Sequence, residues 1–400
     1  MNADAQDTGA AQRRAGLRAR IPRAIETALE LLYPGDASGG ADSHQARVEA
    51  RALGAATLAA AAAILVGLVV FGPGTHPLWG AISTGSIGTL LAGLVAIASS
   101  IAEQLRAPMR APASWSLRAA RTQRFVGIAA VALVHGGIAV IGIGMVFAVL
   151  SQGFFGVQLD QLTSTVASVI VAAGTAYLVT VSAAKITTAE LSMLLSMFLT
   201  GGIVVAMLTT SDAEWWHFHF SELGAGTDVS GLVFNLTLFL GGLLLAAFAF
   251  TLLIDLEAWA AAAPPSRTRN ARAVAWGFQI IGICLAGVGI VPVNLNLIVH
   301  NTFATGMAVV FGAILIGLRW LLDGFTRVFL LFSDVVLAAI VFAALLFWPL
   351  GYYNLAAFEL VVAGVIFAWL IIFVRHVGAA VPSGASAHRN PTVSSPERSR

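Results

Sequence analysis

The chain has 400 residues, of which 58% are hydrophobic and only 10% charged, with a formal net charge of +2 and a mean hydropathy of +0.86. Soluble domains carry about a quarter charged residues, so soluble globular, disordered and collagen-like chains are excluded, and a lone cysteine, Cys284, excludes an intrachain disulfide scaffold. What remains is an all-α polytopic membrane protein with about ten transmembrane helices.

Residues 1–51 read as a cytoplasmic basic segment that is partly amphipathic. No apolar run precedes residue 52, so a cleavable signal peptide is not expected. Leu17, Ile21, Ile25, Ala28 and Leu32 form a helical stripe, with Arg13, Arg14, Arg18, Arg20 and Arg23 around its start and Pro22 interrupting it. Such a segment suits an anionic membrane surface, or else a solvated arm.

About 20 apolar residues cross a bilayer. That length places spans at roughly 52–72, 79–101, 125–150, 163–184, 191–210, 230–254, 273–293, 303–322, 328–348 and 356–375. Thr187 and Glu190 have capping-box spacing at the start of the fifth, and Ser211 and Glu214 repeat that spacing after it. The remainder, 376–400, is rich in Ser, Pro, Ala and Arg and reads as a disordered cytoplasmic tail.

Orientation follows from the bias of Lys and Arg toward cytoplasmic loops. Arg47 and Arg51 precede span one, and Arg106, Arg110, Arg118, Arg121 and Arg124 lie between spans two and three. Lys185 follows span four; Arg267, Arg269 and Arg272 follow span six; Arg327 follows span eight and Arg375 span ten. The other loops carry acids instead: Asp160, Asp212, Glu214, Glu222 and Asp228. Both termini are therefore expected in the cytoplasm, with the chain in the plasma (inner) membrane. This distribution lacks the basic face interleaved with aromatics of a nucleic-acid binder.

Charges inside spans are costly, about 2.5–3.5 kcal/mol at the helix centre, and so attract scrutiny. Asp334 lies in span nine, Glu359 near the outer end of span ten, and Arg319 and Asp323 one turn apart near the inner end of span eight. A polar relay is one reading. The preferred one is an Arg319–Asp334 pair between neighbouring helices, with Glu359 snorkelling outward. His135, mid-span in the third helix, is expected to hydrogen-bond to a neighbouring helix. Gly88 with Ala92, Gly282 with Ala286, Gly201–Gly202 and Gly241–Gly242 allow close helix approach.

The segment 211–229 is the richest in polar groups among the expected outer loops. Trp215, Trp216, Phe218 and Phe220 suit an interfacial aromatic belt. His217, His219 and the outer His300 are candidate zinc ligands by residue type, but their spacing matches no zinc motif, so no metal and no cofactor is expected. No phosphate-binding loop, HExxH helix or nucleophile elbow is present, so no catalytic residue is assigned and an enzyme is not the favoured reading.

Two segments carry a resemblance: FSELGAGTDVSGLVFNLTLFLGGLLLA at 220–246 and GVGIVPVNLNLIVHNTFA at 287–304. Together they resemble Frag/DRAM/Sfk-type six-helix membrane proteins and a related bacterial membrane family of unknown function, over about residues 190–375. The resemblance implies a four-helix N-terminal membrane unit at 52–185 followed by a six-helix bundle at 186–375. It also implies an outer-leaflet polar site near Ser221, Gly224, Asn235, Pro292, His300 and Asn301, to which Glu222 belongs by position. The function it implies is membrane lipid organisation or an accessory role toward envelope proteins, with membrane lipids and possible membrane-protein partners. Two alternatives stand beside it: a secondary transporter built from five-plus-five inverted repeats, and a membrane-embedded lipid-modifying enzyme centred on His300, His217 and His219. A transporter predicts helices broken near the midplane.

Overall fold

The computed structural model describes residues 41–109, 111–112, 115–261 and 265–380. The stripe expected at 17–32 and the tail from 381 onward lie outside the described residues. Ten helices among the described residues are long and apolar enough to cross a membrane. They are α1 (Ala41–Val70), α2 (Thr84–Arg106), α3 (Leu117–Gly153), α4 (Gln161–Ala183), α5 (Thr188–Thr209), α6 (Val229–Ala260), α7 (Pro265–Ile290), α8 (Leu297–Leu321), α9 (Arg327–Phe347) and α10 (Leu355–Ala380). The chain is thus an all-α polytopic membrane protein, as its composition dictates.

Several helices outrun the apolar spans. α1 starts 11 residues before position 52, α3 eight before 125, and α7 eight before 273. Hydropathy reads only the part of a helix that needs lipid, whereas the hydrogen-bond ladder continues through polar residues until a cap stops it. The caps are local. Ser83 caps α2 reciprocally with Ser86, Asp160 caps α4 through Thr163, Thr187 caps α5 through Glu190, Asp228 caps α6 through Gly231, and Asn296 caps α8 through Val299.

The described residues divide into two compact units: 41–107 with 135–185, and 108–134 with 186–380. The division falls inside α3. In the first unit α4 packs against both α1 and α2, with Ala59, Ala63, Ala172 and Ala176 forming a fully apolar seam. Thr84 donates to Ser164 at 2.8 Å between two completely buried hydroxyls. The loops after α1 and α3 add a two-stranded antiparallel pair, β1 (Thr75–Pro77) and β2 (Gln158–Asp160), with His76 opposite Leu159. These six residues are the only strand among the described residues, and hydropathy does not anticipate them.

In the second unit α6 is central, packed against α5, α7 and α10. The early part of α3 joins it there: Gln123 donates to the Ala246 carbonyl at 3.2 Å, and Trp115 rests edge-on against Phe250. The α6–α7 seam is made by small residues. A Cβ on Gly242 would meet the Gly282 carbonyl at 2.5 Å, and one on Gly289 would meet the Asn235 carbonyl at 2.5 Å, so these backbones touch directly. Trp369 and Phe373 of α10 stack on each other at 4.9 Å; Phe373 also stacks on Phe278 of α7 at 5.8 Å and meets Phe329 of α9 tilted at 6.1 Å, and the Trp369 indole N–H donates to Ser333 at 2.9 Å.

Candidate functional site at the polar end of the second unit

Between α5 and α6 the chain makes two short 3₁₀ turns, Trp215–His217 and Phe220–Gly224. Ser211 starts no helix here. Its backbone N–H and its hydroxyl both donate to the Asp228 carboxylate, at 3.2 and 2.9 Å, while the Glu214 N–H donates to Asp212. The capping-box spacing at 211–214 is therefore not a helix start: Asp228, already the cap of α6, competes successfully for the Ser211 donors. The hydrogen bond from the Gly231 N–H, and then those from Ser211, hold the Asp228 carboxyl below its ordinary pKa.

His300, one turn into α8 and 3% exposed, ties three elements together. Its Nδ1 lies 2.7 Å from the Val291 carbonyl and its Nε2 lies 3.0 Å from the Ser221 hydroxyl. A carbonyl only accepts, so Nδ1 carries the proton; in the neutral ring Nε2 then accepts from the Ser221 O–H. The structure thus brings His300 to the 211–235 segment. Asn235 donates to the Gly224 carbonyl at 2.9 Å, which folds the second 3₁₀ turn over the start of α6. Asn294 donates to the Ala225 carbonyl at 2.6 Å, joining the α7–α8 turn to the same segment. Pro292 ends α7 and its carbonyl accepts from Leu295 and Asn296, forming the turn that precedes α8. Asn301 is exposed, although it is adjacent to His300.

The α9–α10 turn closes the cluster from another side. Asn354 donates to the Trp216 carbonyl at 2.7 Å. Glu359 does not snorkel outward as expected. Its carboxylate accepts the Phe220 N–H at 2.7 Å, because that amide begins a 3₁₀ turn and has no intrahelical acceptor. His217 sits 3.1 Å from Glu214 and His219 3.9 Å from Glu222. The three histidines therefore take separate partners. Among the described residues no group of three His, Cys, Asp or Glu side chains is placed to hold a metal ion.

Arg319 of α8 and Asp334 of α9 form an ion pair between neighbouring helices, with both side chains about half exposed on the bundle surface. Asp323 is not part of it. It pairs with Arg267 at 3.3 Å, and that guanidinium stacks 5.0 Å above the Trp259 ring. In the first unit, His135 of α3 links two other helices, with Ser100 of α2 at 3.1 Å from Nδ1 and Ser182 of α4 at 3.1 Å from Nε2.

Two features escaped the sequence reading. Asn354 holds the aromatic turn, and an Asn just before a helix was the available signal, since its Oδ1 also caps Ala357 at 2.8 Å. Glu103, 3% exposed, pairs with Arg51 at 3.1 Å and Arg106 at 2.8 Å. The signal there was the i,i+3 spacing of Glu103 and Arg106 just past the end of the second span.

No family model, no curated protein and no solved structure matches this chain.

Proposed function

We propose that this ten-span protein is a non-enzymatic component of the plasma membrane that organises the surrounding lipid or accompanies other membrane proteins. In this reading its termini are cytoplasmic and the 211–229 segment faces outward. One observation carries the proposal. Most polar side chains at the 211–229 end are spent on one another and on backbone: His300 on Ser221 and Val291, Asn235 on Gly224, Asn294 on Ala225, Asn354 on Trp216, and Glu359 on Phe220, while the buried Nδ1 of His219 has no partner. Catalysis needs groups converging on a space where a reacting atom can sit. Here the donors and acceptors converge on peptide groups, which suits a stitched cap over helix ends. The unbroken course of all ten helices also favours this reading over a transporter, whose substrate sites are built from interrupted helices.

Reconstitution of the full chain in phospholipid vesicles tests the proposal. Acyl-chain order, read by a polarity-sensitive membrane dye, should change with protein density while lipid mass spectra stay unchanged over hours. Turnover of headgroups or acyl chains would establish the enzyme alternative. Solute accumulation driven by an imposed proton or sodium gradient would establish the transporter.

A further inference from the structure

The first unit contains a groove that the outer cluster does not involve. Because α4 packs against both α1 and α2, those two helices touch little and remain apart along part of their length. The space between them is a cavity of about 360 Å³, floored by Thr180 of α4. That volume is within the range of about 300–1,000 Å³ typical of small-molecule sites.

The two ends of this groove differ chemically. Toward the C-terminal end of α2 it is lined by Arg51, Glu103 and Arg106, two positive charges against one negative. The Glu103 carboxylate is buried and its Oε1 receives both guanidiniums, at 3.1 and 2.8 Å. Both arginines remain partly exposed at the rim, 23% and 40%. Further along, the walls are Gly, Ala, Val and Leu with one serine, Ser99, and Leu58 and Ala98 at the mouth are exposed. On the floor, the Thr180 hydroxyl is buried with no hydrogen-bond partner, although a threonine in a helix ordinarily bonds back to the preceding turn. A buried hydroxyl without a partner is unfavourable, and on the floor of a groove it offers a bound molecule a hydrogen-bonding group.

We propose that this groove is a binding site for one anionic phospholipid, with its phosphate at Arg51 and Arg106 and one acyl chain lying between α1 and α2. The two arginines sit at one end, the apolar walls continue from it, and the exposed Leu58 and Ala98 lie on helices long and apolar enough to cross the membrane. Guanidinium is the side chain best shaped to bind phosphate, through paired N–H donors. By the distribution of basic loops that end is the cytoplasmic one, where anionic lipid headgroups attract arginines. The inference does not rest on the proposed role of the outer cluster, which lies in the other unit.

The test uses the full chain purified in mild detergent, with phosphatidylglycerol or phosphatidylcholine added at matched concentration and binding read by native mass spectrometry. Wild type should retain one phosphatidylglycerol per chain in preference to phosphatidylcholine. Arg106→Gln leaves Glu103 paired with Arg51 and should reduce that preference about fivefold, the effect of one basic charge near an anionic headgroup. Ala98→Phe fills the mouth at an exposed position without touching a charge and should abolish retention of the lipid while the protein stays monodisperse. Equal retention of the two lipids by wild type would overturn the proposal, as would wild-type retention by Ala98→Phe. Displacement of the lipid by millimolar inorganic phosphate, with Ala98→Phe inert, would assign the arginines to a free anion instead and also overturn it. Binding that appears only after deletion of residues 1–40 would mean that the chain's own N-terminal segment occupies the groove, with the same consequence.

Discussion

Replacing His300 by alanine tests how the polar end of the second unit is held. The imidazole is 3% exposed and makes two hydrogen bonds, to the Val291 carbonyl and the Ser221 hydroxyl. Alanine leaves both partners empty. A buried donor or acceptor without a partner costs about 1–3 kcal/mol. Val291 and Ser221 are only half-buried, so water repairs part of each loss. The expected destabilisation is about 2–3 kcal/mol for His300→Ala and about 1 kcal/mol for Ser221→Ala, which removes one bond. His300→Asn places an amide N–H near the position of Nδ1, so it should retain the Val291 bond and recover about half of the loss. The assay is reversible unfolding of the detergent-solubilised full chain by sodium dodecyl sulfate, followed by circular dichroism, for the single variants and for the His300→Ala/Ser221→Ala double variant. A double-mutant cycle should give a coupling of about 1 kcal/mol, within the range for side chains in contact. Full additivity, or a loss below about 0.5 kcal/mol for His300→Ala, would refute the reasoning, because 0.5 kcal/mol is the ordinary scatter of surface substitutions.

Three further outcomes are expected. Gly242→Ala places a Cβ against the Gly282 carbonyl of α7 at 2.5 Å and must push two backbones apart, costing about 1–3 kcal/mol in the same unfolding assay; Gly364→Ala, with open space around its Cβ, should be neutral or slightly stabilising. The Asp228 carboxyl is held below its ordinary pKa, so its stabilising effect is complete above the unfolded value of 3.8 and fades as pH falls through the lower folded value; the stability gap between wild type and Asp228→Asn, measured from pH 7 downward, should stay level to about pH 4 and close below it, and a gap that widens in acid would contradict this. Single cysteines at Ser211 and Ser383 in a Cys284→Ala background report orientation: an impermeant maleimide on intact cells should label position 211 and not 383, and the reverse pattern would invert the topology.

The part of the site that was legible in the sequence is the part set by short-range chemistry. Thr187 followed by Glu190 announces the cap of α5, and the Thr187 hydroxyl does accept the Glu190 N–H at 3.2 Å. The same spacing at Ser211 and Glu214 misleads, because a carboxylate 17 residues away in sequence takes the Ser211 donors. His300 was legible as a group that should find a partner across the polar end, since buried polar groups are for the most part hydrogen-bonded. Glu359 was not: its position near a helix end fits snorkelling, and only the fold places an unsatisfied Phe220 amide within its reach.

The sequence by itself determined the ten spans and their alternation, because each span must satisfy its own backbone within hydrocarbon and so declares itself by length and apolarity alone. It also marked helix ends through Ser, Thr, Asp and Asn caps that act within three residues. Tertiary structure alone decided which helices are neighbours. Nothing in a uniformly apolar helix says which face meets which partner, since lipid tails are as apolar as leucine and the choice rests on shape. Hence the Gly242–Gly282 seam, the Trp369 stack, the division within α3 and the groove between α1 and α2 are visible only in three dimensions. The groove is the plainest case. It exists because α4 takes the contacts that α1 and α2 would otherwise share, a competition among three surfaces that no single stretch of residues records.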